Sequence, residues 1–266
     1  MKIAFRRQGK GPVVLLIHGV GGDSRNWDPI AVRLSAHFDL ISMDVRGHGQ
    51  SDLITGPLDA SELARDAVQV LDEAGVDRCA VVGFSLGGAV AFVLALDHPQ
   101  RVEKLAVLGT VCGRTDDEKA RSLARVAFLK EHGTAALAEG NRERWFTDEF
   151  RRDHPDVVDR RVAQVAACDT ASYLHAFTVF ATADFVDRLH DIHVPTLVIT
   201  GEHDLAATGR MAHLMGERIA DAEVHVLPRQ RHSLLIEAPT LVAEHLERFL
   251  KHGTRSTGPE RVLPTH

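Results

Sequence analysis

The sequence predicts an α/β fold: one mostly parallel sheet with helices on both faces, and a helical insertion ahead of the last two strands. Three observations carry this. Short apolar runs such as residues 13–17 and 79–82 read as strands covered on both faces. Helical stretches alternate with them to give β-α-β-α-β up to Gly109, an order that implies right-handed parallel crossovers. From about Cys112 to Leu189 the rhythm changes, and no clear buried strand can be read.

The totals fit a globular enzyme-sized chain. Its 266 residues suffice for one large α/β domain or two small ones. Hydrophobic residues make up 44% and charged residues 26%, an ordinary balance for a globular protein. A net charge of −6 argues against nucleic acid or an anionic membrane as the main partner. Cys79, Cys112 and Cys168 are odd in number and widely spaced, which suits neither a disulfide framework nor a zinc knuckle and points to a reducing compartment. The first residues carry no apolar signal core, and the run at 13–17 is too short to span a bilayer. A cytoplasmic location is expected.

In order, residues 2–5 read as a short edge strand. Residues 13–17 form a buried strand that ends in His18-Gly19-Val20-Gly21-Gly22. This glycine-rich loop lies at the carboxyl edge of the sheet, where ligands bind in open α/β folds. It can turn a backbone N–H toward a substrate oxygen, and Val20 is the nominee. A phosphate-binding reading fails, because neither G-x-x-x-x-G-K-[ST] nor G-x-G-x-x-G is present. Trp27 is expected at the pocket mouth, with core packing as the equal alternative. Residues 40–43 give the next strand. In the loop after it, Asp44, Arg46 and His48 are read as held by local ion pairs and hydrogen bonds rather than as catalytic. Residues 59–74 form an amphipathic helix: Asp59 and Glu62 make a capping box, and Leu63, Ala67, Val70, Leu71 and Ala74 share one face.

The chain is organised around residues 79–92. A strand feeds a buried helix through Gly83-Phe84-Ser85-Leu86-Gly87. So tight a turn forces Ser85 into a strained conformation, which side chains at Gly83 and Gly87 would crowd. The turn lifts the Ser85 hydroxyl clear of the sheet. It also places the Leu86 N–H at a helix N-terminus, where negative charge is favoured.

After a strand at 102–108, helices are expected at 121–131, 141–150, 155–167 and 172–181. Six of the 11 phenylalanines lie in this stretch, with Trp145 and Tyr173, so its inner face is expected to line a substrate pocket. It carries many arginines, including Arg114, Arg142, Arg144, Arg151, Arg152, Arg160 and Arg161, and most of them are read as solvated surface. Arg144, beside Trp145, is nominated to meet a substrate carboxylate. The expected division is a core of residues 1–111 and 190–251, a helical lid of 112–189, and a frayed tail of 252–266.

The sheet resumes at 194–200 and runs into Gly201-Glu202-His203-Asp204. A helix (209–219), a strand (223–227), the loop Pro228-Arg229-Gln230-Arg231-His232-Ser233 and a closing helix from Pro239 follow. Three strand ends therefore offer a nucleophile, an acid and a base: Ser85, Asp204 and His232. A serine hydroxyl is a poor nucleophile at neutral pH, so His232 would take its proton and later return it to the leaving group. Asp204 would fix the tautomer of His232 and stabilise the imidazolium. The N–H groups of Val20 and Leu86 would hold the oxyanion. Among rivals, Glu202 lies less far into its loop, Asp187 and Asp191 precede the strand, His225 is inside a strand and His203 abuts the acid. A metal site from His190, His193 and His203 is disfavoured, because two of them lie at the opposite end of a strand from the third.

These motifs resemble the α/β-hydrolase superfamily: His18-Gly19, Asp44-x-Arg46-Gly47-His48-Gly49-x-Ser51, Gly83-x-Ser85-x-Gly87-Gly88, Gly201-x-x-Asp204, and His232 through Glu237-x-Pro239. The resemblance spans nearly the whole chain and implies the α/β-hydrolase fold. Within the superfamily, the stretch from Arg144-Trp145-Phe146-Thr147 to His154-Pro155-Asp156-Val157-Val158 is similar to 3-oxoadipate enol-lactonases, which open an enol-lactone ring in aromatic catabolism. That likeness implies the same triad roles for Ser85, Asp204 and His232. Two loops depart from that family, His18 to Gly22 and Leu205-Ala206-Ala207-Thr208-Gly209, and both border the pocket.

The expected function is a serine hydrolase without cofactor or metal, acting on a small-molecule ester or lactone through an acyl-enzyme. A carbon–carbon bond hydrolase of ring-cleavage products and a cofactor-free haloperoxidase would use the same trio. A ligand receptor that kept the fold without turnover is a third alternative. The oligomeric state stays open, a homo-oligomer included.

Overall fold

A computed structural model of the protein describes residues 1–255, so most of the tail expected over 252–266 lies outside the described residues. Its centre is a seven-stranded sheet in the order β1-β3-β2-β4-β5-β6-β7. The strands are β1 (Phe5–Gly9), β2 (Val13–Ile17), β3 (Asp39–Met43), β4 (Cys79–Phe84), β5 (Val102–Leu108), β6 (Thr196–Gly201) and β7 (Ala222–Leu227). Every neighbouring pair is parallel except β1 with β3.

The central strands read as unbroken apolar runs because both of their faces are covered. Side chains alternate across a strand. Leu15, Ile17, Val81 and Val107 therefore join one apolar core, and Val14, Leu16, Val82 and Leu108 join another. The first core is closed by α2 (Ala60–Glu73) and α3 (Leu86–Asp97), with α8 (Gly209–Arg218) packed nearer β7. The second is closed by α1 (Asp28–Leu34) and α10 (Pro239–His252). The expected capping box of α2 is present, with Asp59 accepting from the Glu62 N–H at 2.9 Å and Glu62 from the Asp59 N–H at 3.1 Å.

The edge strand differs from expectation: it starts at Phe5, not Lys2, and runs to Gly9. Four of its five residues are exposed, so an apolar run could not reveal it. Between β5 and β6 come α4 (Asp116–Trp145), α5 (Asp148–Asp153), α6 (Pro155–Ala166) and α7 (Thr170–Thr182). α4 joins the segment expected at 121–131 to the first half of the one expected at 141–150, whose end belongs to α5, and its backbone breaks only at Gly133, where φ is 79°. β5 and β6 are paired parallel neighbours, so this insertion leaves one strand and returns to the start of the strand beside it. Among the described residues, no helix is long and apolar enough to cross a membrane.

Candidate active site

The turn between β4 and α3 is strained where the sequence indicates. Ser85 has φ 55° and ψ −113°, one of two non-glycine residues with positive φ among those described. The turn is wedged between its neighbours: a Cβ on Gly87 would lie 2.1 Å from the Ile17 carbonyl oxygen, and one on Gly83 would lie 2.2 Å from the Gly87 oxygen. The Ser85 N–H donates to the Leu108 carbonyl at 2.8 Å, so β2 and β5 hold the serine from both sides.

Two distant loops reach the same point. His232, in the loop after β7, has Nε2 3.2 Å from Ser85 Oγ and Nδ1 2.6 Å from Asp204 Oδ2. Asp204 follows β6, and its other oxygen accepts from the N–H groups of Ala206 at 2.8 Å and Ala207 at 3.0 Å. The buried carboxylate is thus fixed at both oxygens and accepts the Nδ1 proton. That leaves the Nε2 lone pair toward the serine hydroxyl. Such a chain can take a proton from Oγ as the oxygen attacks a carbonyl. The rival groups are engaged elsewhere. Glu202 accepts from the Arg229 N–H at 2.8 Å on the surface, His225 bonds Glu223 at 2.6 Å, and His203 is exposed. Among the described residues, no group of three His, Cys, Asp or Glu side chains gathers to hold a metal ion; His190, His193 and His203 stay apart.

The loop after β2 lies against Ser85, since a Cβ on Gly19 would come 3.0 Å from the serine Cβ. Two buried histidines shape it. The Val45 N–H donates to His18 Nε2 at 2.9 Å, so His18 Nδ1–H donates to the Gly19 carbonyl at 2.8 Å. The Gly21 N–H donates to His48 Nε2 at 2.9 Å, so His48 Nδ1–H donates to the Arg46 carbonyl at 3.1 Å. Asp44 accepts from the Ser24 N–H at 2.7 Å and the Gln50 N–H at 2.8 Å, and Arg46 forks onto Asp66 at 2.6 and 2.9 Å. These side chains hold loops together and do not face the serine.

Burial pushes the pKa of both histidines down, that of His48 to about 3, with the neighbouring His18 adding to the effect. The folded value lies below the unfolded one. The stabilising contribution is therefore intact above about pH 6.5 and is lost as the pH falls from there toward 3. Each such histidine steepens the loss by up to about 1.4 kcal/mol per pH unit. Urea unfolding between pH 4 and 7 is expected to show this slope, reduced by about one proton in His48→Gln. An unchanged slope would refute the assignment.

Above Ser85 and His232 opens a cavity of about 640 Å³, roofed by α4, α6 and α7. Arg144 and Trp145 line it. Trp27 does not. It is fully buried in the core beneath α1, among Val14, Leu16 and Ile30, and its neighbour Asn26 reaches the cavity instead. The expectation of Trp27 at the pocket mouth is corrected accordingly: its indole fills the space between the sheet and α1. The sequence reading also missed two arginines. Arg125 lines the cavity beside Phe177, and Arg161, one of a group read as mostly solvated, is half-buried in the wall. Helical spacing carried the signal. Arg161 falls three residues after Val158 and four before Val165, both buried, and Arg125 lies four before buried Leu129. Arg142, Arg151, Arg152 and Arg160 do form surface ion pairs.

Comparison with known proteins agrees with the sheet and the motifs. A family model for the alpha/beta hydrolase fold matches residues 12–239. A 3-oxoadipate enol-lactonase of Acinetobacter baylyi is 25% identical over 240 residues, covering 90% of this chain and 89% of its own. The (E)-2-((N-methylformamido)methylene)succinate hydrolase of the same organism is 28% identical over 250 residues, 93% of each chain. The crystal structure of the enol-lactonase from Burkholderia xenovorans superposes with a TM-score of 0.87 at 29% identity, over 94% of this chain and 96% of that one. The chain belongs to the family of the alpha/beta hydrolase fold, and within it resembles the enol-lactonases.

Proposed function

We propose that this protein is a serine hydrolase that cuts a small carboxylic ester or enol-lactone through an acyl-enzyme. The observation that carries this reading is the hydrogen-bonded run Asp204–His232–Ser85 opening onto the roofed cavity. His232 takes the Ser85 proton as Oγ bonds to the substrate carbonyl carbon. The carbonyl oxygen becomes an oxyanion, held by the N–H groups of Val20 and Leu86. Neither N–H has an acceptor among the described residues, and each such donor contributes roughly 3–4 kcal/mol in the transition state. His232 then returns the proton to the leaving oxygen, and the acyl bond to that oxygen breaks. In a lactone the departing enol stays tethered to the acyl group. Water, deprotonated by His232, repeats the sequence and frees Ser85.

The cavity wall bears on the substrate. Arg144 has no hydrogen-bond or ion-pair partner among the described residues. Burial lowers its pKa, Asp204 opposes that and Arg121 adds to it. Its donors face the cavity beside Trp145, as those of a carboxylate receptor would. The names of the two relatives, 3-oxoadipate and a succinate derivative, both denote carboxylates. Arg144→Leu is expected to raise KM about 10- to 100-fold for an ester bearing a free carboxylate, and less than about threefold for a neutral ester. Equal changes for both substrates would remove the receptor role. The reading as a whole is tested by incubation with a fluorophosphonate and peptide mass spectrometry. The adduct is expected on Ser85. No adduct, or one on another residue, would overturn it.

A further inference from the structure

Arg161 lies on α6, some 140 residues from the loop after β2, yet it grips that loop. Its Nη1 donates to the Gly21 carbonyl and, at 2.8 Å, to Gln164 Oε1, while Nη2 donates to the Val20 carbonyl at 3.2 Å. The guanidinium is half-buried at the cavity wall, stacks 5.3 Å from the Trp145 ring, and forms no ion pair among the described residues. Asp23, the nearby carboxylate, bonds Arg25 and Gln164 instead. A half-buried cation without a counter-carboxylate contributes little to stability by itself. α6 and α7 also close on the loop directly, where a Cβ on Gly21 would meet Tyr173 at 2.8 Å and Val165 at 2.9 Å.

The peptide units of this loop can be counted one by one. In the unit joining residues 19 and 20, the Gly19 carbonyl accepts from the Gly22 N–H at 3.1 Å and from His18. In the next, Arg161 holds the Val20 carbonyl and His48 accepts from the Gly21 N–H. In the third, Arg161 holds the Gly21 carbonyl and the Gly22 N–H turns back to Gly19. Every polar group of the three units has a protein partner except the Val20 N–H, which is left beside Ser85.

We propose that Arg161 is a positioning residue through which the helical insertion aims the Val20 N–H at the reacting carbonyl oxygen. This rests on the serine-hydrolase reading above. The core supplies the histidine contacts from beneath, and Arg161 supplies the hydrogen bonds from above. With α6 unseated, two carbonyls lose their donors, and the one free N–H of the loop is no longer constrained. A misplacement of about 1 Å in such a group can lower a rate about 100-fold.

The test uses Arg161→Gln and Arg161→Lys with two p-nitrophenyl esters, one neutral and one bearing a free carboxylate. Arg161→Gln is expected to lower kcat about 10- to 100-fold on both, with KM within about threefold of wild type. Arg161→Lys is expected to recover part of the rate, because an ammonium lacks the planar fork that meets two carbonyls together. Affinity for a trifluoromethyl ketone should fall in step with kcat/KM, since it engages the oxyanion donors. A loss confined to KM of the carboxylate ester would make Arg161 an anion receptor and overturn the proposal, as would an unchanged kcat with only a lowered Tm. Should Arg161→Gln not fold, Arg161→Lys decides, through kcat and the hydrogen exchange of residues 19–22: wild-type values for both overturn the proposal. If wild type itself takes no fluorophosphonate at Ser85, the hydrolase reading fails first. If it does, and the arginine variants keep full kcat, the positioning role alone falls.

Discussion

Ser85→Ala is expected to lower kcat by about a million-fold on any ester the wild type turns over, with a Tm within a few degrees of wild type. The size follows from how such trios act. Removing the serine of a hydrogen-bonded Ser–His–Asp unit forfeits nearly all that the unit provides, and the remainder comes from oxyanion donors and binding. The small effect on stability follows from the local structure. The strain at φ 55° belongs to the backbone and remains with alanine. The bond from the Ser85 N–H to the Leu108 carbonyl also remains, and only one 3.2 Å hydrogen bond to His232 is lost. Steady-state kinetics with purified variant and a calorimetric scan measure both quantities. Turnover within tenfold of wild type would mean that another nucleophile does the chemistry.

Gly87→Ala carries the largest expected loss of stability, about 3 kcal/mol or more, together with loss of activity. The added carbon would sit 2.1 Å from the Ile17 oxygen, 2.6 Å from its carbonyl carbon and 2.7 Å from the His18 oxygen. All three are backbone atoms, so no side chain can swing aside. Either α3 lifts away from β2 or the end of β2 shifts, and either movement displaces Ser85 relative to the loop carrying Val20. Gly140→Ala is the control. That glycine sits exposed on α4, with nothing within 4 Å of an added Cβ. Alanine there is expected to be neutral or to stabilise by up to about 1 kcal/mol. Urea denaturation of the pair checks both signs. Equal stability of the two variants would show that the close approach at Gly87 is readily relieved.

Much of this was readable from residues. Gly83-x-Ser85-x-Gly87 between a β-branched run and an all-apolar helix left little conformational choice, because backbone crowding acts locally. His232 and Asp204 are legible because each lies in the loop after a parallel strand, and that topology delivers such loops to one edge. What escaped depended on tertiary packing. α1 has seven residues, three of them buried, which is too short for periodicity to register. Trp27 could face solvent, ligand or core, and only the closing of α1 and α10 over β2 decided it. Arg161 reads as a surface charge by residue type. It is drawn inward because the carbonyls that accept its protons belong to a loop far away in sequence.

The adjacency of β5 and β6 makes the cap a cassette. The two strands pair directly and in parallel, from Leu105 opposite Thr196 to Leu108 opposite Ile199, so the sheet is continuous without any residue of the excursion. Exchanging residues 112–189 for another helical segment would spare Ser85, His232 and Asp204, the proposed nucleophile, base and acid, all of which lie outside it. A graft chosen only for its pocket-facing side chains would inherit a new specificity wall but a slack anion cradle, unless it also brought a fork-shaped cation to the carbonyls of Val20 and Gly21.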